Sequence, residues 1–339
     1  MITDEPRFDH LARMTDDRGT FEHADHTTPR REHGYCTDDM ARVLVVASRE
    51  PQPGPVVSGL AETALRFLVD AQGEHGDCRN RMSSAGVWLD RYGVEDCWGR
   101  SLWGLGTAAA RSPHGATRAV ALAHFERGAL QRSPWPRAMA FAALGADEIL
   151  AACPDHRGAR DLLADALAVM VGRHRSTSSW VWPESRLSYA NAALPEAMIA
   201  AGAALGRERV VDDGLDLLSW LLESETHDGH LSVTPVGGRG PGDRLPEFDQ
   251  QPIEVAALAD ACARAARLTG ADHWHAGVTR AVAWFLGDND ANAPMGDADS
   301  GGGYDGLRAD GPNLNQGAES TLALISTLQH ARREIAVAV

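Results

Sequence analysis

The chain has 339 residues, 44% of them hydrophobic and 23% charged, with a formal net charge of −15. That length allows a sizeable core, and the acidic balance argues against nucleic acid or an anionic membrane surface as the main partner. No apolar run reaches transmembrane length, and no basic region leads into an apolar stretch after Met1, so a cytoplasmic protein without membrane insertion is expected.

The five cysteines (36, 78, 97, 153, 262) are odd in number and read as reduced thiols. No short metal-ligand spacing stands out among the His and Asp residues, so neither metal nor cofactor is expected. Nine Trp is a high count, and several sit beside Gly, Pro or acids rather than inside apolar runs. An indole face beside a carboxylate suits a sugar ring, whose C–H face stacks while its hydroxyls hydrogen-bond to the acid. Filling of helix–helix gaps is the plainer use of the same residues.

Taken in order, residues 1–37 hold a short helical piece, Phe8 to Met14, and then a loop dense in ionisable groups. His23, His26, Arg30, Arg31, Glu32 and His33 make that arm part of a site or, alternatively, a solvated extension. His33-Gly34-Tyr35-Cys36-Thr37-Asp38-Asp39 then opens a helix to Glu50, with Thr37 as N-cap and the two acids in the first turn. Val56–Gln72 is a second helix beyond a Pro/Gly break. After a loop carrying Asp77, Arg79, Asn80, Arg81 and Trp88, Asp96–Ala110 opens on Glu95-Asp96-Cys97-Trp98-Gly99-Arg100, and Ala116–Gln131 pairs with it.

Ser133 caps the next helix, with Pro134 at its first position, to about Ala152. Arg157–Gly172 follows. Ser179-Trp180-Val181-Trp182-Pro183-Glu184 reads as a short strand or an extended sugar-facing edge. Helices open again at Asn191, Gln250 and Asn315, with the plain helices Glu208–Glu223 and Asp272–Leu286 between them. The long Gly-rich loops at 226–248 and 288–312 could close over a site.

Six helices therefore open on polar motifs and alternate with amphipathic ones, the N-terminal piece supplying a twelfth. Strand signals are weak, and the loops are too long and unlike for a regular solenoid. The pattern predicts an all-α fold, an (α/α)6 barrel formed as one domain over residues 1–339, with the arm to about residue 37 contributing to the site. In such a ring the N-termini of the inner helices converge on one mouth, where their dipoles favour negative charge.

The mouth would gather acids (Asp38, Asp39, Glu95, Asp96, Glu184, Asp249, Glu254, Asp305, Glu319), aromatics (Tyr35, Trp98, Trp135, Trp180, Trp182, Tyr304), amides (Asn191, Gln250, Gln251, Asn313, Asn315) and cations (Arg30, Arg42, Arg100, Arg137). Acids, amides and aromatic faces together are the chemistry of a carbohydrate cleft. Consecutive acids leave a helix in different directions, so Asp38 and Asp39 should not both face one spot. Glu254 fits a capping arrangement with Gln251 better than catalysis. Asp39, Asp96, Asp249 and Glu319 are the candidate catalytic carboxylates. Arg30, His33, Tyr35, Asp38, Glu95, Trp98, Arg100, Trp182, Asn191, Gln250, Gln251, Tyr304 and Asn315 are candidate substrate-binding residues, with Tyr35, Trp98 and Trp182 as stacking faces.

The segments His33–Asp39, Asp249-Gln250-Gln251-Pro252-Ile253-Glu254 and Asn315-Gln316-Gly317-Ala318-Glu319-Ser320-Thr321 resemble motifs of a bacterial six-hairpin (α/α)6-barrel family. Its members often occur beside, or fused to, glycosyltransferases and mannoside-active enzymes. The resemblance spans nearly the whole chain and implies the six-hairpin glycosidase fold, without fixing an activity. The chain lacks the Rossmann-like regions a nucleotide-sugar transferase needs. The expected activity is glycoside hydrolysis of a short oligosaccharide by paired carboxylates, inverting by analogy of fold. The alternatives are a glycan-binding module partnering a glycosyltransferase, and a sugar epimerase or isomerase using His23, His26 or His33.

Overall fold

A computed structural model describes residues 5–171 and 180–338. The described residues form twelve α-helices: α1 (Asp9–Arg13), α2 (Thr37–Arg49), α3 (Pro55–Ala71), α4 (Asp96–Arg111), α5 (Gly115–Gly128), α6 (Pro136–Ala152), α7 (Arg157–Val171), α8 (Ala193–Ala204), α9 (Glu208–Ser224), α10 (Pro252–Thr269), α11 (Asp272–Leu286) and α12 (Ala318–Ala338). The even-numbered helices touch in the cycle α2–α4–α6–α8–α10–α12–α2, which closes an inner ring. The odd-numbered helices pack outside it, α3 on α2, α5 on α4, α7 on α6, α9 on α8 and α11 on α10, with the short α1 against α12. This is an (α/α)6 barrel.

Sequence separates the two rings by how much of each helix must be apolar. In α8 every residue from Ala193 to Gly202 is buried, as an inner helix with neighbours on all sides requires. In α9 burial is confined to Gly214, Leu217, Leu218, Leu221 and Leu222, one stripe at helical spacing with acids on the opposite face. Small residues set the distance between inner helices. A Cβ on Gly145 would lie 2.2 Å from the Leu102 carbonyl oxygen, and one on Gly106 would lie 2.3 Å from the Gly145 carbonyl oxygen. The α4 and α6 backbones therefore touch directly. Gly145→Ala is expected to destabilise the protein by about 2–3 kcal/mol through overpacking, read as a lower denaturation midpoint.

Local departures from the sequence reading have physical causes. Cys36, not Thr37, caps α2: its sulfur accepts from the Asp39 N–H at 3.4 Å. The Thr37 hydroxyl is taken by the Arg79 carbonyl oxygen at 2.6 Å. The helix expected to open at Ser133 and Pro134 starts at Pro136, because the Ser133 hydroxyl accepts from the Trp135 N–H and holds a turn before it. In the aromatic stretch Ser179 lies outside the described residues, and Trp182 is not an exposed edge but is fully buried. Among the described residues the loops carry four two-stranded antiparallel sheets, three of them local hairpins and one pairing Tyr35–Cys36 with Arg81–Met82, all too short for the sequence pattern to announce. No helix among the described residues is long and apolar enough to cross a membrane.

Candidate active site

A cavity of about 380 Å³ opens where α2, α10 and α12 begin, a size usual for a small-molecule site. Its wall takes Asp38, Asp39 and Arg42 from α2, Arg100 from α4, Asp249, Gln251 and Pro252 at the start of α10, and Glu319 and Ser320 from α12. Loops add Glu22, His23, Arg81, Asp305 and Asn313. Arg42 also lines a second void of about 40 Å³, mostly apolar, along the barrel axis. It therefore stands between the polar mouth and the barrel interior.

Arg42 is the centre of the charge pattern. One nitrogen, Nη1, donates to Asp39 Oδ1 at 2.7 Å, and Nη2 pairs with Glu319 Oε2 at 2.8 Å. The Cys36 thiol donates to the other Asp39 oxygen at 3.1 Å. Asp39 is 2% exposed. Burial pushes its carboxyl up to about 6, with Arg42 opposing and the Glu319 charge reinforcing the shift. Burial also pushes the Cys36 thiol far up, so it sits there as a neutral donor. The Glu319 side chain is 47% exposed and reaches into the cavity from its ion pair.

Asp38 also lines the cavity, against the expectation that one of the two neighbouring acids would turn away. Different arginines hold the pair. Arg100 Nη1 donates to Asp38 Oδ1 at 3.1 Å, and Asn80 Nδ2 donates to Oδ2 at 2.9 Å. Burial works against the Asp38 charge, but Arg100 and Arg42 outweigh it and hold the carboxyl below the ordinary carboxylate range.

Asp249 has the opposite surroundings. Its Oδ1 is buried without a hydrogen-bond partner. Among the described residues its Oδ2 has only Arg308 Nε at 3.6 Å, on a side chain that is half exposed. Burial raises its carboxyl above the usual range despite Arg308. Asp305 is a buttress: its Oδ1 accepts from the Gly317 N–H at 2.7 Å and the Ser320 hydroxyl at 2.6 Å, fixing the first turn of α12.

Of the candidate catalytic acids, Asp39, Asp249 and Glu319 share this cavity. Asp96 is not part of its wall; its Oδ2 accepts from the Tyr189 hydroxyl at 2.7 Å. Among the candidate binding residues, Asp38, Arg100 and Gln251 line the cavity. Glu95 is exposed at the N-terminus of α4 and stays off the wall. Arg30 and His33 are exposed outside it, Arg30 donating to Glu32 at 3.0 Å. Tyr304 is half-buried, and the Asn315 side-chain oxygen accepts from the His26 N–H at 3.0 Å; neither lines the cavity.

The three expected stacking faces are corrected. Tyr35 is buried against Phe21 and donates to Asp16 at 2.8 Å. Trp98 is buried, with its indole N–H on the Gly128 carbonyl oxygen at 3.1 Å. Trp182 is buried and stacked on Trp220. None has a ring face open to a ligand, and among the described residues no Phe, Tyr or Trp lines the cavity. Asn191 and Gln250 are likewise fully buried. Asn191 Nδ2 donates to Glu254 Oε2 at 2.8 Å, and Arg137 Nη2 donates to Asn191 Oδ1 at 3.0 Å. Gln250 Nε2 donates to Asp290 Oδ2 at 2.6 Å. Glu254 does cap, but on the neighbouring inner helix rather than with Gln251: it accepts from the N–H groups of Ala190 and Asn191, before α8. Burial pushes its carboxyl up to about 8.

Sequence reading passed over Cys36 as a plain thiol and gave Arg81 and Ser320 no role, yet all three line the cavity. The ionisable density of the arm and of the 73–94 loop was the usable signal: Glu22 and Arg81 form an ion pair across those two segments.

The chain matches no protein-family model, and no curated protein matches it at a significant level. Solved structures do match. Cellobiose 2-epimerase from Bacillus thermoamylovorans aligns with a TM-score of 0.73 at 12% identity, covering 96% of each chain. A sugar epimerase from a ruminal bacterium aligns at 0.70 and 13%, covering 96% of this chain and 95% of its own. Cellulase Cel9M of C. cellulolyticum in complex with cellobiose aligns at 0.60 and 9%, covering 88% and 84%. The chain has the fold of (α/α)6-barrel sugar epimerases and cellulases.

Proposed function

We propose that this protein is a glycoside hydrolase acting on a short oligosaccharide, with Asp249 as general acid and Glu319 as general base. The observation that carries this reading is that two carboxylates with contrasting surroundings share one cavity. Asp249 is raised by burial, which suits a proton donor to a leaving oxygen. Glu319 is ion-paired and half exposed to the cavity, which suits activation of a water. Asp39 positions Arg42, and Arg42 positions Glu319. With the base on the opposite face of the ring from the acid, water attack inverts the anomeric centre. Sugar hydroxyls meet Asp38, Arg100, Gln251 and Asn313 rather than an aromatic platform.

A second reading rests on one observation: His23 lines the same cavity, with His33 edge-on at 4.9 Å between ring centroids. Imidazole is the usual acid/base for moving a proton beside a sugar carbonyl, and two of the structures of like fold are sugar epimerases. Incubating the purified protein with mannosides and glucosides of two to four units separates the readings. Release of monosaccharide supports the hydrolase; conversion of a disaccharide to an isomer of equal mass supports the epimerase.

The acid assignment also carries a pH signature. Removing Arg308 takes away the charge that lowers Asp249, so its acid form survives to higher pH. Arg308→Ala is expected to move the alkaline limb of kcat/KM upward. A limb that stays in place or moves down removes Asp249 as the acid.

A further inference from the structure

On the rim, apart from the sugar cavity, a hairpin pairs Thr226–His227 with His230–Leu231. Its tip is Asp228-Gly229, both with positive φ (48° and 93°), the backbone of a tight two-residue turn. Such a turn makes His227 and His230 direct cross-strand partners. Their side chains therefore stand on the same face. Asp290, in the segment after α11, faces both. Its Oδ1 lies 3.0 Å from His230 Nε2 and 3.5 Å from His227 Nδ1. The three ligand atoms all lie within 4.8 Å of one another.

We infer that His227, His230 and Asp290 form a binding site for a divalent zinc-class cation. Bonds of about 2.0–2.2 Å at a tetrahedral angle place neighbouring ligand atoms roughly 3.2–3.5 Å apart; the 3.5 Å edge from Asp290 to His227 already matches, and the 3.0 Å edge to His230 is a little short of that range. Hydrogen bonding alone leaves the cluster incomplete: His227 Nδ1 is buried and makes no hydrogen bond. A cation shared by both imidazoles and the carboxylate satisfies it. The carboxylate is also held as a metal ligand needs to be. The Asp290 side chain is 3% exposed, and Gln250 Nε2 donates to its Oδ2 at 2.6 Å, leaving Oδ1 for the histidines. Two imidazoles and one oxygen suit zinc rather than calcium or magnesium.

The site joins the hairpin to the segment following α11. Through Gln250 it also reaches the chain next to Asp249, so occupancy would brace one wall of the sugar cavity. Sequence reading missed it because the third ligand lies sixty residues from His230, although His227-x-x-His230 around a turn was visible.

The test is titration of the EDTA-treated full chain with zinc chloride at neutral pH by calorimetry. One zinc per chain is expected, with affinity at least a hundredfold weaker in His227→Gln/His230→Gln and a melting temperature raised by about 3–5 °C only in the unaltered protein. X-ray absorption of the zinc-loaded, unaltered protein should show nitrogen and oxygen neighbours at about 2.0–2.1 Å. No binding, equal binding by the double variant, or a sulfur shell near 2.3 Å pointing to a thiol such as the exposed Cys153 overturns the site.

Discussion

Replacing Asp249 by Asn, or Glu319 by Gln, is expected to lower kcat by about a hundredfold to ten-thousandfold, the range a positioned acid or base supplies. Neither change should unfold the protein. Among the described residues the Asp249 side chain keeps one oxygen unpartnered and pairs with a half-exposed Arg308, so an amide replaces it without breaking a buried bond network. Glu319 is nearly half exposed, and among the described residues its ion pair is with Arg42. The two variants should differ in rescue: a substrate with a good leaving group needs less protonation, so it should restore Asp249→Asn and leave Glu319→Gln slow. Equal rescue of both would reverse or remove the assigned roles. Circular dichroism and the melting temperature provide the control on folding.

Arg42→Met should be the most destabilising change at the site. It strands the buried Asp39 carboxylate, and breaking a buried pair from one side typically costs about 3–5 kcal/mol. The cost should depend on pH in a definite direction. Asp39 already has its carboxyl raised to about 6 by burial, and Arg42 is the charge that opposes the rise. Without Arg42 it climbs further above its unfolded value. A carboxyl raised in the folded state binds a proton that the unfolded chain releases, so stability falls as pH increases between the two values. The Met variant should therefore lose less stability at pH 5.5 than at pH 8, measured by urea denaturation. An equal loss at both values would mean that Asp39 does not titrate as described. Activity should fall too, because Glu319 loses the guanidinium that orients it.

The fold was legible because its repeat is written in burial. An inner helix such as α8 must be apolar on nearly every side and an outer one such as α9 on a single stripe, and that difference shows in residue spacing. The convergence of polar helix starts on one end follows from closing the ring, and it led to Asp39, Asp249 and Glu319. What spacing could not show is which way a loop residue turns. Gln250 and Gln251 are adjacent amides, yet one serves the buried Asp290 and the other the cavity. Asn191 is consumed by Glu254 and Arg137 inside the wall.

The aromatics failed as a guide for a related reason. An indole needs only one acceptor for its N–H to be buried at little cost, and Trp98 finds it in a backbone carbonyl that no sequence pattern reveals. Asp38 and Asp39 both reach the cavity because two arginines from different helices, Arg100 and Arg42, hold them separately. That is a tertiary fact, invisible to the geometry of one helix.

The central claim, carboxylate-driven hydrolysis in the mouth cavity, is tested most directly by proton NMR of the purified protein with a reactive disaccharide in D2O. The expected spectrum shows a monosaccharide appearing first as the anomer opposite to the linkage cleaved, with no deuterium entering the carbon beside the reducing carbonyl, and no such signal with Asp249→Asn. Intact disaccharide gaining deuterium at that carbon and a new epimer would contradict the account and assign the cavity to proton transfer by His23.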